Sequence, residues 1–234
     1  EAYDEYWDPQ YPKVERVIFE NALIGNREEA MRLCSKTEGV VDIVSHIRPI
    51  DTLKIAKSPF AKVVKSKNIV RLVGMFNQRK KGSKWRDIRL RKAINYAINR
   101  EELWKYAAKG NAFNLGGHIP PAGHGHNPHL SHFTYDTNKA KSLLAEAGYE
   151  DGFVLRLIAN ESLNLEGQII SKMLERVNLT AKYEILPEHE FWSKVVISIL
   201  DKPPEEQDWD IHFFTVQNWT GHTGFMLPFN FIEE

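Results

Sequence analysis

The sequence predicts an α/β fold in which helices pack on both faces of an open sheet. Strand-like and helical segments alternate along most of the 234 residues, an order typical of α/β domains. Residues that can cap a helix start, and glycines that can end one, separate many of these segments. Residues 153–185 also show the order strand, helix, strand within about thirty residues, the length of a parallel βαβ unit with a right-handed crossover.

The composition is that of an ordinary globular protein and excludes several classes. Hydrophobic residues make up 42% and charged residues 26% of the chain, and no apolar run approaches the ~20 residues of a membrane helix. The 31 basic residues balance the 31 acidic ones, so no net field attracts nucleic acid, and no nucleic-acid partner is predicted. The single cysteine, Cys34, cannot form an internal disulfide.

Short apolar stretches, alternating or continuous, predict the strands. Val, Ile, Phe and Tyr are frequent in these stretches, and Gly, Pro, Asn or Asp often follow them. The predicted strands are residues 14–19, 40–44, 69–76, 153–159, 181–185 and 209–216.

The helix starts are marked by residues whose side chains can accept a hydrogen bond from the first turn. Asn26 with Glu29, and Asn99 with Glu102, form two capping boxes. Asp51 and Asp136 are two further candidate caps. The predicted helices are residues 26–34, 51–56, 90–98, 99–110, 136–147, 165–177 and 188–200.

Most catalytic signatures are absent from the chain. It has no nucleophile elbow, no phosphate-binding loop, no dinucleotide fingerprint and no His-Glu-x-x-His helix. His189 and Glu190 lack the second histidine that a zincin helix needs. No carboxylate pair can be assigned as acid and base, because their separation in space decides that role. The sequence therefore predicts a protein that is not an enzyme and has no catalytic residues.

A loop rich in glycine, proline and histidine stands out as a candidate metal site. His124 and His126, separated by Gly125, place two imidazole donors within reach of one nickel, copper or zinc ion. The alternative is an exposed loop whose histidines have no role. No other cofactor is predicted. Five of the nine histidines lie here, at His118, His124, His126, His129 and His132.

Aromatic residues concentrate near the end of the chain and include a candidate ligand contact. Open α/β sheets bind ligands beyond the carboxyl ends of their strands, in clefts often lined by aromatic side chains. Trp219 follows a predicted strand and has small or polar neighbours. Trp219, Thr220, Gly221 and His222 are therefore the predicted ligand-binding residues. Core packing is predicted instead for Trp209, Phe213 and Phe229.

Several short segments along the chain occur in the same order as the landmarks of a known protein family. Each is weakly specific by itself, but the ordered series covers nearly the whole sequence. They are residues 6–12, 38–42, Asn77, 88–100, 119–121, 135–149 and 219–221. Together they resemble the landmarks of the family 5 extracellular solute-binding proteins, which include dipeptide-, oligopeptide- and nickel-binding subunits of ABC importers.

The resemblance implies a two-lobed, class II periplasmic-binding-protein fold. Residues 1–74 would form the end segment of the first lobe, and residues 75–234 most of the second lobe. It also implies non-covalent capture of a peptide or other small solute, delivered to an ABC permease in the membrane. Such a protein is periplasmic, or extracellular and lipid-anchored. No signal peptide opens the chain, and family members are much longer, so a fragment is expected.

The sequence departs from the similar dipeptide binders at two places. Those proteins carry an aspartate after Trp-Thr-Gly that pairs with the peptide α-amino group, whereas this chain has His222. A histidine with an ordinary pKa of ~6.5 is mostly neutral at pH 7 and supplies no anion. The stretch matching their carboxylate-binding arginine, residues 159–163, contains no arginine. A metal or metal-chelate receptor is thus the first alternative function, and a metal-dependent hydrolase the alternative from another class.

Overall fold

The computed structural model describes residues 5–11, 13–20, 23, 26–36, 40–45, 47–65, 70–117, 119–121, 123, 125–197 and 202–217. The chain forms two compact units, residues 1–64 and residues 65–234. Within the described ranges, no helix combines the length and the apolar character needed to cross a bilayer.

The described part of the first unit contains two short α-helices, α1 (Arg27–Cys34) and α2 (Thr52–Ile55). The side-chain oxygen of Asn26 accepts a hydrogen bond from the backbone N–H of Glu29 at 3.3 Å. This contact confirms the predicted start of α1. Met31 on α1 and Ile55 on α2 are both buried.

Asp51 does not cap α2, contrary to the sequence prediction. Its side chain makes no capping hydrogen bond to the helix. The buried carboxylate instead accepts a hydrogen bond from Arg48 Nε at 2.7 Å. A charged partner within reach competes successfully with the helix N–H groups, since charge-assisted hydrogen bonds are the stronger ones.

The two strands predicted in the first unit are wrong. Residues 13–20 and 40–45 have irregular backbone, and Phe19 and Ile43 are 85% and 86% exposed. A strand is stable only when a neighbouring strand takes its backbone hydrogen bonds. The described part of this unit contains no such neighbour, so apolar alternation alone does not produce a strand here.

The second unit is built on one open sheet with the strand order β1-β4-β2-β3. β2 pairs in parallel with both β3 and β4, whereas β1 pairs antiparallel with β4. The parallel pairing of β2 with β3 confirms the predicted βαβ unit. The strands are β1 (Val70–Phe76), β2 (Phe153–Asn160), β3 (Leu179–Leu186) and β4 (Ile211–Gln217).

Two helices of the second unit begin at the caps that the sequence predicts. Asn99 accepts a hydrogen bond from the N–H of Glu102 at 3.2 Å, and Asp136 accepts one from Lys139 at 2.9 Å. The last helix is shorter than predicted and continues as a π-helical turn, Trp192–Ile197. The helices are α3 (Ile88–Ala97), α4 (Arg100–Tyr106), α5 (Thr137–Glu146), α6 (Asn164–Glu175) and α7 (Glu188–Phe191).

Helical segments cover both faces of the sheet, as the sequence predicts. Leu155 and Leu157 of β2 belong to the larger core, with buried residues of α3, α5 and α6. Ile158 belongs to a smaller core on the other face, with Phe191 of α7 and Val195 of the π-helical turn. Alternate β2 residues enter different cores because successive side chains of a strand point to opposite faces.

Candidate functional site

The parallel strands bring three chain ends to one edge of the sheet. β2, β3 and β4 run in the same direction and end at Asn160, Leu186 and Gln217. β1 runs the opposite way, so its first residue, Val70, lies opposite Gln217. This side of the sheet, the carboxyl edge, is where open α/β sheets bind ligands.

β4 extends past the point where its pairing with β2 ends. The last residue pair between these strands is Ala159 with Phe213. Residues 214–217 continue along β1, with Phe214 opposite Val73 and Gln217 opposite Val70. Among the described strands, this extension pairs with β1 only. Its other side has no strand partner there and faces the residues that follow the end of β2.

The end of β2 places a fixed polar pair at the carboxyl edge. Asn160 is 5% exposed, and its side-chain oxygen accepts a hydrogen bond from Ser162 Oγ at 2.6 Å. Asn160 precedes the 3₁₀ turn Glu161–Leu163 and Ser162 lies within it, and this turn leads directly into α6. The pair fixes polar side chains beside the extension of β4.

Arg71 brings a positive charge to the same edge and was missed by sequence reasoning. It lies opposite Val216 in the β1–β4 ladder and is only 4% exposed. Burial lowers the pKa of its guanidinium, but an arginine stays protonated at neutral pH. The detectable signal was a lone arginine inside an otherwise apolar strand.

The first turn of α6 is held against β3 near this edge. The Tyr183 hydroxyl donates to the carbonyl of Leu163 at 3.4 Å and lies 3.5 Å from that of Asn164. Burial and, secondarily, the charge of Glu166 raise the pKa of Tyr183 to about 12. Burial also raises the pKa of the Glu166 carboxyl group. The tyrosine therefore remains a neutral hydrogen-bond donor at physiological pH.

The predicted ligand-binding residues Trp219, Thr220, Gly221 and His222 lie outside the described residues, as do Phe229, His118 and His124. His126 is half-buried, and its Nδ1 lies 2.8 Å from the carbonyl oxygen of Ile119. His129 and His132 are exposed. In the described part of the chain, no group of three or more potential metal ligands comes together.

Trp209 and Phe213 are core residues, which confirms that prediction, with exposures of 7% and 6%. Between them, His212 is 1% exposed, and its ring centre lies 4.5 Å from that of Trp209 and 5.3 Å from that of Phe214. Burial lowers its pKa to about 3. The sequence contained no signal for this neutral core histidine, because its burial follows from the sheet and from Phe191 packed against it.

A cavity of about 370 Å³ lies at the opposite end of the sheet. Its wall includes the turn after β1, beginning at Asn77, and the segment before β4, ending at Asp210. We call it the distal cavity. Sequence analysis did not identify it, although the basic residues between Gln78 and Lys84 were a visible signal.

Comparison with known proteins finds a matching family model and similar curated sequences. The family model described as bacterial extracellular solute-binding proteins, family 5 Middle, matches residues 1–231. The dipeptide-binding protein of Escherichia coli strain K12 is 27% identical over 164 residues, which cover 68% of this chain and 28% of that protein.

Two solved structures show the same fold. One is the ABC transporter-associated periplasmic binding protein DppA from Helicobacter pylori in complex with peptide STSA, with TM-score 0.74, 22% identity, and coverage of 88% of this chain and 37% of that one. NikA from Staphylococcus aureus in complex with Ni(L-His)2 gives TM-score 0.61 and 19% identity, covering 77% of this chain and 37% of that one. The chain thus spans well under half the length of each relative.

Proposed function

The chain belongs to family 5 of the bacterial extracellular solute-binding proteins, and we propose that it is part of the substrate-binding subunit of a peptide-type ABC importer. The match of the family model to residues 1–231 carries this proposal. The proposed activity is non-covalent: two lobes close on a peptide or other small solute by hinge motion, and the closed form docks on a membrane permease. The proposed location is the periplasm, or the outer surface of the cell through a lipid anchor.

The names of the relatives support a peptide as the solute. The similar E. coli protein is a dipeptide-binding protein, and the similar H. pylori protein was solved with peptide STSA. We propose that residues 1–74 belong to the end of the first lobe and residues 75–234 to most of the second.

We propose that Trp219 forms a stacking wall of the ligand cleft, and that Thr220, Gly221 and His222 make polar or backbone contacts there. Trp219 comes two residues after Gln217, the last residue of β4 at the carboxyl edge. The proposal thus places the contacts where a doubly wound sheet binds its ligands.

The test is Trp219→Ala in the complete two-lobed protein, with affinity measured by calorimetry against a series of di-, tri- and tetrapeptides. Losing an aromatic wall should weaken binding by more than ~1 kcal/mol. Trp104→Ala on α4 is the control. The salt bridge between Glu102 and Arg176 places α4 at the far end of α6, away from the carboxyl edge of the sheet. Equal affinities for the wild type and Trp219→Ala would remove Trp219 from the site.

A nickel-type receptor for a metal or metal chelate is the second candidate. The similar NikA structure contains Ni(L-His)2, and this chain has His222 and the histidine-rich loop. Titration of the complete protein with the nickel–histidine complex tests this function. Substituting His124 and His126 together by alanine should then abolish binding, while the control His189→Ala, outside the histidine-rich loop, should not.

Native mass spectrometry of the complete protein as purified separates the two candidates. A ladder of peptide masses would support the peptide receptor, and a single metal or chelate mass would support the nickel-type receptor. The third hypothesis is a metal-dependent hydrolase. It requires that the complete protein hydrolyse a peptide substrate when a metal ion is added, and an assay that shows no such turnover would reject it.

A further inference from the structure

We infer that the distal cavity binds a small solute that carries an oxyanion, either a carboxylate or a phosphate group. Its volume of about 370 Å³ falls in the range of small-molecule sites. It lies by Asn77 and Asp210, at the end of the sheet opposite Gln217. The length of β4, roughly 20 Å, separates it from the carboxyl edge, so this inference does not depend on the proposed peptide site.

The charges of the cavity wall favour an anion. The wall contains two carboxylates, and both already have cationic partners: Asp210 pairs with Lys84 at 3.1 Å, and Asp208 pairs with Arg156. Lys84 also lies 4.4 Å from the ring centre of Phe153, which fixes its position further.

Two lysines supply the remaining positive charge. Lys80 and Lys81 line the cavity, and within the described ranges neither forms an ion pair with a carboxylate. Lys80 is half-buried, so its ammonium group is less screened by water than one at the open surface. An entering oxyanion would find two ammonium groups that no carboxylate of the described residues pairs with.

The wall that presents these lysines is held by hydrogen bonds. Ser83 Oγ donates to the carbonyl oxygen of Asn77 at 2.6 Å and accepts from the backbone N–H of Trp85 at 3.2 Å. Gly82, with φ of +73°, turns the chain in a conformation that favours glycine. The lysines therefore extend from an ordered turn, and less entropy is lost when a ligand binds.

Asp210 ties this turn to the strands behind it. One carboxylate oxygen accepts a hydrogen bond from Trp85 Nε1 at 2.8 Å, and the other accepts one from the backbone N–H of Arg156 at 2.8 Å. Trp85 is 1% exposed. Its indole N–H therefore reports directly on the cavity wall.

Polar atoms with no partner among the described residues lie in the same wall. Asn77 donates its side-chain N–H groups to the carbonyl oxygens of Gln207 and Trp209, which leaves its side-chain oxygen as an acceptor without a donor. Trp209 Nε1 is a buried donor without an acceptor. Both atoms are inaccessible to solvent, so a solute in the cavity would meet Lys80 and Lys81 rather than these groups.

The test is a nuclear magnetic resonance titration of the tryptophan indole N–H signals in the full 234-residue chain. Inorganic phosphate is added in one series and citrate in another, at pH 7 and constant ionic strength. We expect a saturable shift of the Trp85 signal in at least one series. The double variant K80Q/K81Q should weaken that binding at least five-fold, whereas K141Q/K182Q, with the same net charge and changes at exposed positions elsewhere, should not.

The outcome also identifies the anion class. Saturation by phosphate alone assigns a phosphate group, and saturation by citrate alone assigns a carboxylate. The inference is overturned if neither probe gives saturation, or if both double variants weaken binding equally. If K80Q/K81Q fails to fold, the single variant K81Q at an exposed position serves in its place, with an expected loss of at least two-fold.

Discussion

At the scale of single residues, burial decides what a polar group can do. His212 lies among aromatic rings on β4, and its Nδ1 has no hydrogen-bond partner in the described part of the chain. The apolar surroundings disfavour the charged imidazolium, which lowers the histidine pKa to about 3. The folded protein therefore resists protonation at a site where the unfolded chain accepts a proton readily.

We predict that His212 makes the protein less stable as the pH falls. Its pKa is about 6.5 in the unfolded chain and about 3 when folded, so its contribution is complete above pH 6.5 and is lost as the pH falls from 6.5 towards 3. The expected slope is about 1.4 kcal/mol per pH unit. Urea unfolding between pH 7.5 and 4.5 should show this slope reduced in His212→Leu and unchanged in His132→Leu, an exposed control. Equal slopes in both variants would contradict the assignment.

At Gly167, the addition of one methyl group is expected to change the stability of the protein. It lies inside α6, and a Cβ there would come within 2.2 Å of the Tyr183 ring and hydroxyl. Glycine to alanine normally stabilises a helix by about 1 kcal/mol. We predict that Gly167→Ala instead destabilises the protein by about 1–2 kcal/mol, because the cost of overpacking exceeds that gain.

A double-mutant cycle in urea checks this cause. In a Tyr183→Ala background the obstacle is gone, so Gly167→Ala should become neutral or stabilising. A cost that persists without the tyrosine ring would mean that the collision is not the reason.

At the scale of elements, short-range hydrogen bonds set the helix boundaries. Asn26, Asn99 and Asp136 each cap the helix that the sequence assigns to them. These contacts span three residues, so they can be predicted without knowing the fold. The strands are different, because each depends on a partner that is distant in the sequence.

We predict that Asn99→Ala lowers the free energy of unfolding by about 1 kcal/mol, the usual value of a helix N-cap. Its side chain accepts the hydrogen bond from Glu102 that begins α4. Thermal and urea denaturation provide the measurement, with the exposed Glu101→Ala on the same helix as control. An unchanged midpoint for Asn99→Ala would show that α4 begins without this cap.

At the scale of the whole molecule, the buried residues concentrate in one of the two compact units. Residues 65–234 contain both hydrophobic cores and the sheet. The described part of residues 1–64 has few buried apolar side chains, among them Met31 and Ile55, while many others are exposed. Its backbone should therefore open at a much lower free energy than the sheet.

Hydrogen exchange followed by mass spectrometry tests this contrast in the full chain. We predict that residues 13–20 and 40–45 exchange at least 100-fold faster than β2 and β4, because irregular exposed backbone offers its N–H groups to water. Comparable protection in both regions would mean that the first unit has a partner structure for these stretches.

What the sequence determined by itself is local or repeated along the chain. The helix caps at Asn26, Asn99 and Asp136, the βαβ order and the family resemblance of the ordered segments are confirmed. The predicted cap at Asp51 is wrong. The contacts in the 219–222 ligand site remain a prediction.

Only the tertiary structure decided which apolar stretches become strands and which polar groups become buried. Residues 14–19 alternate as a strand would but have no pairing partner in the described unit. The hydrogen bond between Trp85 and Asp210 joins residues 125 positions apart, and the burial of Arg71 and His212 requires the assembled sheet. Strand pairing and burial are properties of distant segments brought together, so a pattern within one segment cannot determine them.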